Sequence, residues 1–198
     1  GSEMCIRDRK VQDALVQAAK DTSPGLHRYM PNAGFQDVRE AISKTLSEEC
    51  KVTLSANDLV MVCGAAGGLN ITLKTLLDSG DEVVIFAPYF VEYLFYADNH
   101  GGKVVSVKTN DDFTLNFDSL KNALNAKTKA VIINSPNNPT GVVYSREELK
   151  QLAKILKKHS DKSGRSVYLI SDDPYKKITF DGVEAANVLE FYENSIYI

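Results

Sequence analysis

The chain has 198 residues, of which 43% are apolar and 25% charged, values ordinary for a globular domain with one sizeable core. A net charge of −3, with lysines scattered among acids, argues against a nucleic-acid partner or an anionic membrane surface. No apolar run reaches the length of a membrane span.

In chain order, residues 1–10 are read as a tag-derived, artefactual or disordered start, polar and unlike a signal peptide. Val11, Ala14, Leu15 and Ala18 recur at helical spacing and predict an amphipathic helix over about 9–20. A turn-rich stretch, 22–34, leads to a second helix carrying Val38, Ile42 and Leu46. Leu59–Cys63 is expected as a buried strand, with Cys63 a small core hydrophobe. Residues 64–68, Gly-Ala-Ala-Gly-Gly, turn into a helix with Leu69, Leu73, Leu76 and Leu77 on one face and Gly80 as its left-handed C-terminal stop.

Strands and helices then alternate. Strands are expected at 82–86, 103–107, 130–133 and 167–170, with a helix over 91–99 and another from a cap at Asp118 to about 126. Ser145 and Glu148 form a capping box before a helix with Leu149, Leu152, Ala153, Ile155 and Leu156 on one face. Asp181-Gly182 reads as a hairpin turn, and 194–198 as the opening of another strand, so the chain is expected to be a truncated piece. Near-continuous apolar strands alternating with helices predict a three-layer α/β/α fold, a mostly parallel sheet with helices on both faces.

In such a fold ligands bind beyond the carboxyl ends of the strands. Small residues at 64–68 let backbone N–H groups approach an anion at a helix start, or simply make a tight turn. Phe90 stacks on a flat ring or packs as a loop aromatic, and Tyr93 is equally open. Asn138, in a Pro-rich turn after a strand, offers an amide to a phenolate-like oxygen, and Tyr175 offers a second hydrogen bond there. Asp172 ends a doubly covered strand, where a carboxylate is costly unless paired; a protonated ring nitrogen or a cap on the next loop would pair it. Asp173 and Lys176 are expected in solvent. The histidines, His27, His100 and His159, have no nucleophile beside them in sequence, and no Cys/His spacing suits a metal.

Together and in order, Tyr29-Met30-Pro31-Asn32-Ala33-Gly34, Cys63-Gly64-Ala65-Ala66, Ala87-Pro88-Tyr89-Phe90, the run from Asn134 to Gly141 and Ser171-Asp172-Asp173-Pro174-Tyr175 resemble the fold-type-I, class I/II aminotransferases, which depend on pyridoxal 5′-phosphate. The resemblance runs over about 11–198 and implies most of a large domain, with the small C-terminal domain absent. It implies that backbone at Ala65 and Ala66 holds the cofactor phosphate and Phe90 stacks on the ring. Asn138 and Tyr175 would bond the ring oxygen, Asp172 would pair with the ring nitrogen, and Tyr29 would reach the phosphate of a neighbouring subunit. It further implies a homodimer acting on an amino acid and a 2-oxo acid, while the three irregularly spaced cysteines, Cys5, Cys50 and Cys63, fit a reducing, cytoplasmic setting and the charge fits no nucleic-acid or membrane partner. The chain departs from the pattern at Ala66, where relatives often carry a polar side chain, and at Pro174. No catalytic residue is expected within it, because the Schiff-base lysine lies beyond Ile198. A ligand-sensing domain of a transcription regulator and a carbon–sulfur lyase are the alternatives on the same scaffold.

Overall fold

The structure, a computed structural model, describes residues 8–26 and 28–198. The readings made for residues 1–7 and for His27 lie outside the described residues. From Asp8 onward the start is helical: the Asp8 carboxylate accepts from Lys10 N–H at 2.7 Å and caps α1 (Arg9–Lys20).

The chain divides into two compact units, residues up to 47 with 53–61, and residues 48–52 with 62–198. The first carries α1, most of α2 (Gln36–Cys50) and a short 3-10 turn (Ala56–Asp58) closed by a Ser55–Asp58 capping box. Arg39 donates to the carbonyls of Gly34 (3.2 Å) and Ala56, and Met61 N–H bonds Ala33 O at 2.9 Å. Val11, Leu15 and Val16 of α1 are exposed, so the amphipathic helix is as predicted but buries no residue.

The second unit contains α3 (Gly64–Leu76), β1 (Glu82–Ala87), α4 (Glu92–Asp98), β2 (Lys103–Lys108), α5 (Phe117–Ala123), β3 (Thr128–Asn134), α6 (Arg146–Ser163), β4 (Tyr168–Asp172), a 3-10 turn (Val188–Glu190) and β5 (Ser195–Tyr197). The five strands form one sheet in the order β2-β1-β3-β4-β5, every pair parallel. Strand alternation divides the core between the two faces. Val84, Phe86, Val131, Ile133 and Leu169 meet Leu120 of α5 and Leu149, Leu152 and Leu156 of α6. Val83, Ile85, Ala130, Ile132 and Ile170 meet Leu69 and Leu73 of α3 and Tyr93, Tyr96 and Ala97 of α4. This is the three-layer α/β/α arrangement the alternation predicts.

Local expectations differ in five places. Leu59–Cys63 forms no strand: it has no neighbouring strand among the described residues, and Val60, Val62 and Cys63 are exposed. Among the described residues the buried cysteine is Cys50. Asn116, not Asp118, caps α5, accepting from Ser119 N–H at 2.9 Å, and the helix stops at Ala123. Gly80 is left-handed (φ +87°), but α3 has already ended at Leu76, and Gly80 instead turns the chain to bond Gly101 O at 2.8 Å. Asp181 and Gly182 both take positive φ in a tight turn closed by Val183 N–H to Phe180 O at 3.0 Å, yet no strands flank it.

Candidate functional site

Parallel strands put all their carboxyl ends along one edge, and Phe90, Asn138, Asp172 and Tyr175 end or follow β1, β3 and β4 there. Asp172 is the last residue of β4 and pairs in register with Asn134, the last of β3. It continues the alternation from Ile170, so it faces α4. There the Tyr93 hydroxyl donates to Asp172 Oδ2 at 2.6 Å. Oδ1 is buried and has no hydrogen-bond partner among the described residues. Burial raises the Asp172 pKa and the Tyr93 bond pulls it back. A buried carboxylate oxygen without a donor is costly. A protonated nitrogen on a ring is a donor of the right charge for it.

Tyr93 was left open by the sequence. Burial, then the Asp172 charge and hydrogen bond, push its phenol far above the ordinary range, so it stays a neutral donor. The Phe90 ring stands edge-on to Tyr93, centroids 5.7 Å apart and planes at 82°. Phe90 itself is half-buried, which leaves ring surface for a ligand.

Asp173 is a correction. The sequence suggested solvent; the structure buries it on the opposite side of β4 from Asp172. Ser171 Oγ donates to its Oδ1 at 2.7 Å, Oδ2 has no partner among the described residues, and burial lifts its pKa to about 7. Asp173 lies one residue past β4, where its N–H still bonds Ile198 O at 2.9 Å and holds the chain in the interior. Lys176 is half-buried, its ammonium 5.3 Å from the Tyr197 ring centroid.

Asn138 and Tyr175 are half-buried, and both line one cavity of about 640 Å³ that also touches Pro136, Gly141, Ile178 and Phe180. Asp172 and Phe90 are not among its walls. The 137–142 loop is tied by Asn137 N–H to Val142 O at 2.9 Å and by Gly141 N–H to Asn137 O at 2.7 Å.

Ala65 and Ala66 sit in the first turn of α3, on the sheet face that Asp172 shares. Cys63 at the N-cap makes no side-chain bond to that turn, and Ala66 is exposed. Such a turn offers free N–H groups and the positive end of the helix dipole to an anion. Glycine is needed at 68, where an added Cβ would lie 2.9 Å from Ile198 Cγ2 and 3.3 Å from Val62 Cγ2. Tyr29, in the first unit, is fully exposed. The described residues hold no cluster of potential metal ligands, and no helix among them is long and apolar enough to cross a membrane. His159 Nε2 lies 3.2 Å from Asn125 O, which occupies it at the far end of α6.

The family model for aminotransferase class I and II matches residues 3–197. The chain belongs to this family. Among curated aminotransferases, the aspartate aminotransferase of Thermotoga maritima is 36% identical over 191 residues, covering 94% of this chain and 49% of that protein. A probable aspartate aminotransferase of Methanocaldococcus jannaschii is 34% identical over 168 residues, covering 84% of this chain and 43% of its own length. A solved amino transferase from Eubacterium rectale superposes with a TM-score of 0.92 at 36% identity, over 96% of this chain and 48% of that one. The chain thus spans about half the length of the curated relatives it matches. The aminotransferase class I/II family works with pyridoxal 5′-phosphate. The unpartnered oxygen of Asp172, the half-exposed Phe90 ring and the uncapped first turn of α3 fit that cofactor's ring nitrogen, ring face and phosphate.

Proposed function

We propose that this chain is most of the large, cofactor-binding domain of an aminotransferase, residues 11–198, in a parent that moves an amino group between an amino acid and a 2-oxo acid. The buried carboxylate of Asp172 carries the reading: at the carboxyl end of β4, the ligand edge of a parallel sheet, one oxygen is held by Tyr93 and the other has no donor among the described residues. Asp172 would hold a proton on the ring nitrogen, and Tyr93 keeps that carboxylate in place. Phe90 would cover one face of the ring and exclude water from it. Asn138 and Tyr175 would donate to the ring oxygen, and the backbone N–H groups of Ala65 and Ala66 would hold the phosphate. When bound, the cofactor supplies an electron sink for charge developing on the amino acid's α-carbon.

The reading places the proton-transferring lysine, the small domain and the substrate-carboxylate site beyond Ile198. Tyr29, exposed in the first unit, would reach the phosphate held by a second subunit, making the parent a homodimer. Composition supports a cytoplasmic enzyme with no nucleic-acid or membrane partner.

The test is amino-group transfer by the parent, wild type against Asp172→Asn. Loss of the ring-nitrogen partner should lower kcat by roughly 100-fold or more. A parent that binds the cofactor and releases sulfur from a thioether amino acid, or does no chemistry at all, would replace this reading with a lyase or a sensor.

A further inference from the structure

We propose that Asn134 is a positioning residue, whose buried side-chain amide bridges the backbones of Asp172 and Asn138 and so fixes the partner of the ring nitrogen relative to the donor to the ring oxygen. This rests on the cofactor-site reading above.

Asn134 is 3% exposed and closes β3, opposite Asp172 on β4. Its Nδ2 donates to the Asp172 carbonyl oxygen, and its Oδ1 accepts from the Asn138 backbone N–H at 2.6 Å. One planar group therefore satisfies a buried acceptor on one strand end and a donor on the loop leaving the other. A primary amide alone among uncharged side chains offers a donor pair and an acceptor in one rigid plane. The place needs such a tie. The β3–β4 register ends at this pair, so beyond it no ladder sets the distance between the strand ends. The loop that follows includes Pro136 and Pro139, which have no N–H, so its backbone has few donors for the sheet. Its remaining internal bonds, through Asn137 to Thr140, Gly141 and Val142, hold the loop to itself rather than to β4.

Asn134 bonds the backbones of Asp172 and Asn138 rather than their side chains, so its effect is on their placement. Half an ångström of drift between Asp172 and Asn138 would let a ring satisfy one but not both.

The experiment uses the 198-residue chain with two probes, pyridoxamine 5′-phosphate and inorganic phosphate, and adds amide hydrogen exchange at Asn138. Pyridoxamine phosphate has no aldehyde, so surface lysines do not capture it. Asn134→Ala is expected to bind pyridoxamine phosphate roughly tenfold more weakly, to bind inorganic phosphate as wild type does, and to exchange the Asn138 amide roughly tenfold faster. Asn134→Asp keeps the acceptor for Asn138 and loses the donor to Asp172. It should retain Asn138 protection, lose ring affinity, and serve if the alanine variant does not fold. Ring affinity within twofold of wild type in both variants, or equal losses for the two probes, overturns the inference. A wild-type chain that prefers pyridoxamine phosphate no more than inorganic phosphate overturns the cofactor-site reading itself, and the inference with it.

Discussion

The Tyr93 hydroxyl and the Asp172 carboxylate meet at 2.6 Å across 79 positions of sequence, joining α4 to the end of β4 inside the core. That one bond divides the labour of the carboxylate: Oδ2 is anchored, Oδ1 remains for a ligand. Tyr93→Phe keeps the ring packing and removes the only donor the Asp172 carboxylate has among the described residues. Its pKa, already raised by burial, should rise further once the lowering bond is gone. A carboxyl raised in the folded state contributes stability below its unfolded pKa that is lost as pH climbs through the folded value. The variant should therefore lose about 1–3 kcal/mol at pH 8 and less at a pH low enough to protonate Asp172 in the folded chain. Urea unfolding at the two pH values measures it, and an equal loss at both would contradict the assignment.

Asp173 gives the larger pH effect. Its pKa stands at about 7 against an ordinary 3.8, because burial outweighs the bonds from Ser171 and the charge of Lys176, and Asp172 adds to the rise. The folded chain thus binds more protons than the unfolded one between those values, and stability falls as pH rises through that window. Asp173→Asn removes the titration. Its stability relative to wild type should grow by on the order of 3 kcal/mol from pH 4 to pH 8. The pair difference isolates Asp173 from the other carboxylates. Parallel melting curves for the two proteins across that range would refute it.

Much of this site is legible in the sequence because strand ends are legible. Runs such as Ala130–Ile133 and Val167–Ile170 announce doubly covered strands, and the polar residues just after them, Asn138, Asp172 and Tyr175, must fall at the ligand edge. What the sequence hides is pairing across space. Tyr93 sits on a short helix, and nothing local says that its hydroxyl faces β4. Asn134 reads as the end of an apolar strand, and its bridge exists only because β3 and β4 end in register. Leu59–Cys63 shows the opposite failure: the composition is that of a strand, but a strand requires a ladder of backbone bonds to a neighbouring strand, and this segment has only the Met61 N–H bond to Ala33 O and no neighbouring strand among the described residues.

At the amino ends of the strands, away from their carboxyl edge, Arg165 Nη2 donates to both oxygens of Asp81 at 2.7 Å and Nη1 to Ala126 O at 3.2 Å. Burial pushes the Asp81 pKa up, but Arg165 and the Asp78 N–H together bring it below the ordinary value. Arg165→Met strands a carboxylate that is 8% exposed, while the arginine itself keeps a third of its surface in water. The cost should be about 1–3 kcal/mol at pH 8, discounted for that solvent screening. A lowered carboxyl contributes stability above its unfolded pKa, lost as pH falls through the folded value, so the cost should shrink below about pH 4. Because the pair lies at the other end of the sheet, affinity for pyridoxamine phosphate per folded molecule should not change. A change of more than about twofold would mean the two ends are coupled.

Affinity for the cofactor ring and phosphate alone should be modest. Pyridoxamine phosphate has roughly sixteen non-hydrogen atoms, and at about 0.3 kcal/mol each they give about 5 kcal/mol, a Kd near 0.3 mM. The 198-residue chain should bind this probe reversibly and in that range. Phe90→Leu should weaken it a further two- to tenfold, the worth of about 0.5–1.5 kcal/mol of ring contact. Leucine keeps the apolar packing beside Tyr93, so the melting temperature should move little. Direct titration by the probe's own fluorescence reads both values. A low-micromolar Kd in the wild type would mean that these 198 residues already close around the ligand without further chain. Insensitivity to Phe90→Leu would move the ring away from Phe90 and reopen which aromatic covers it.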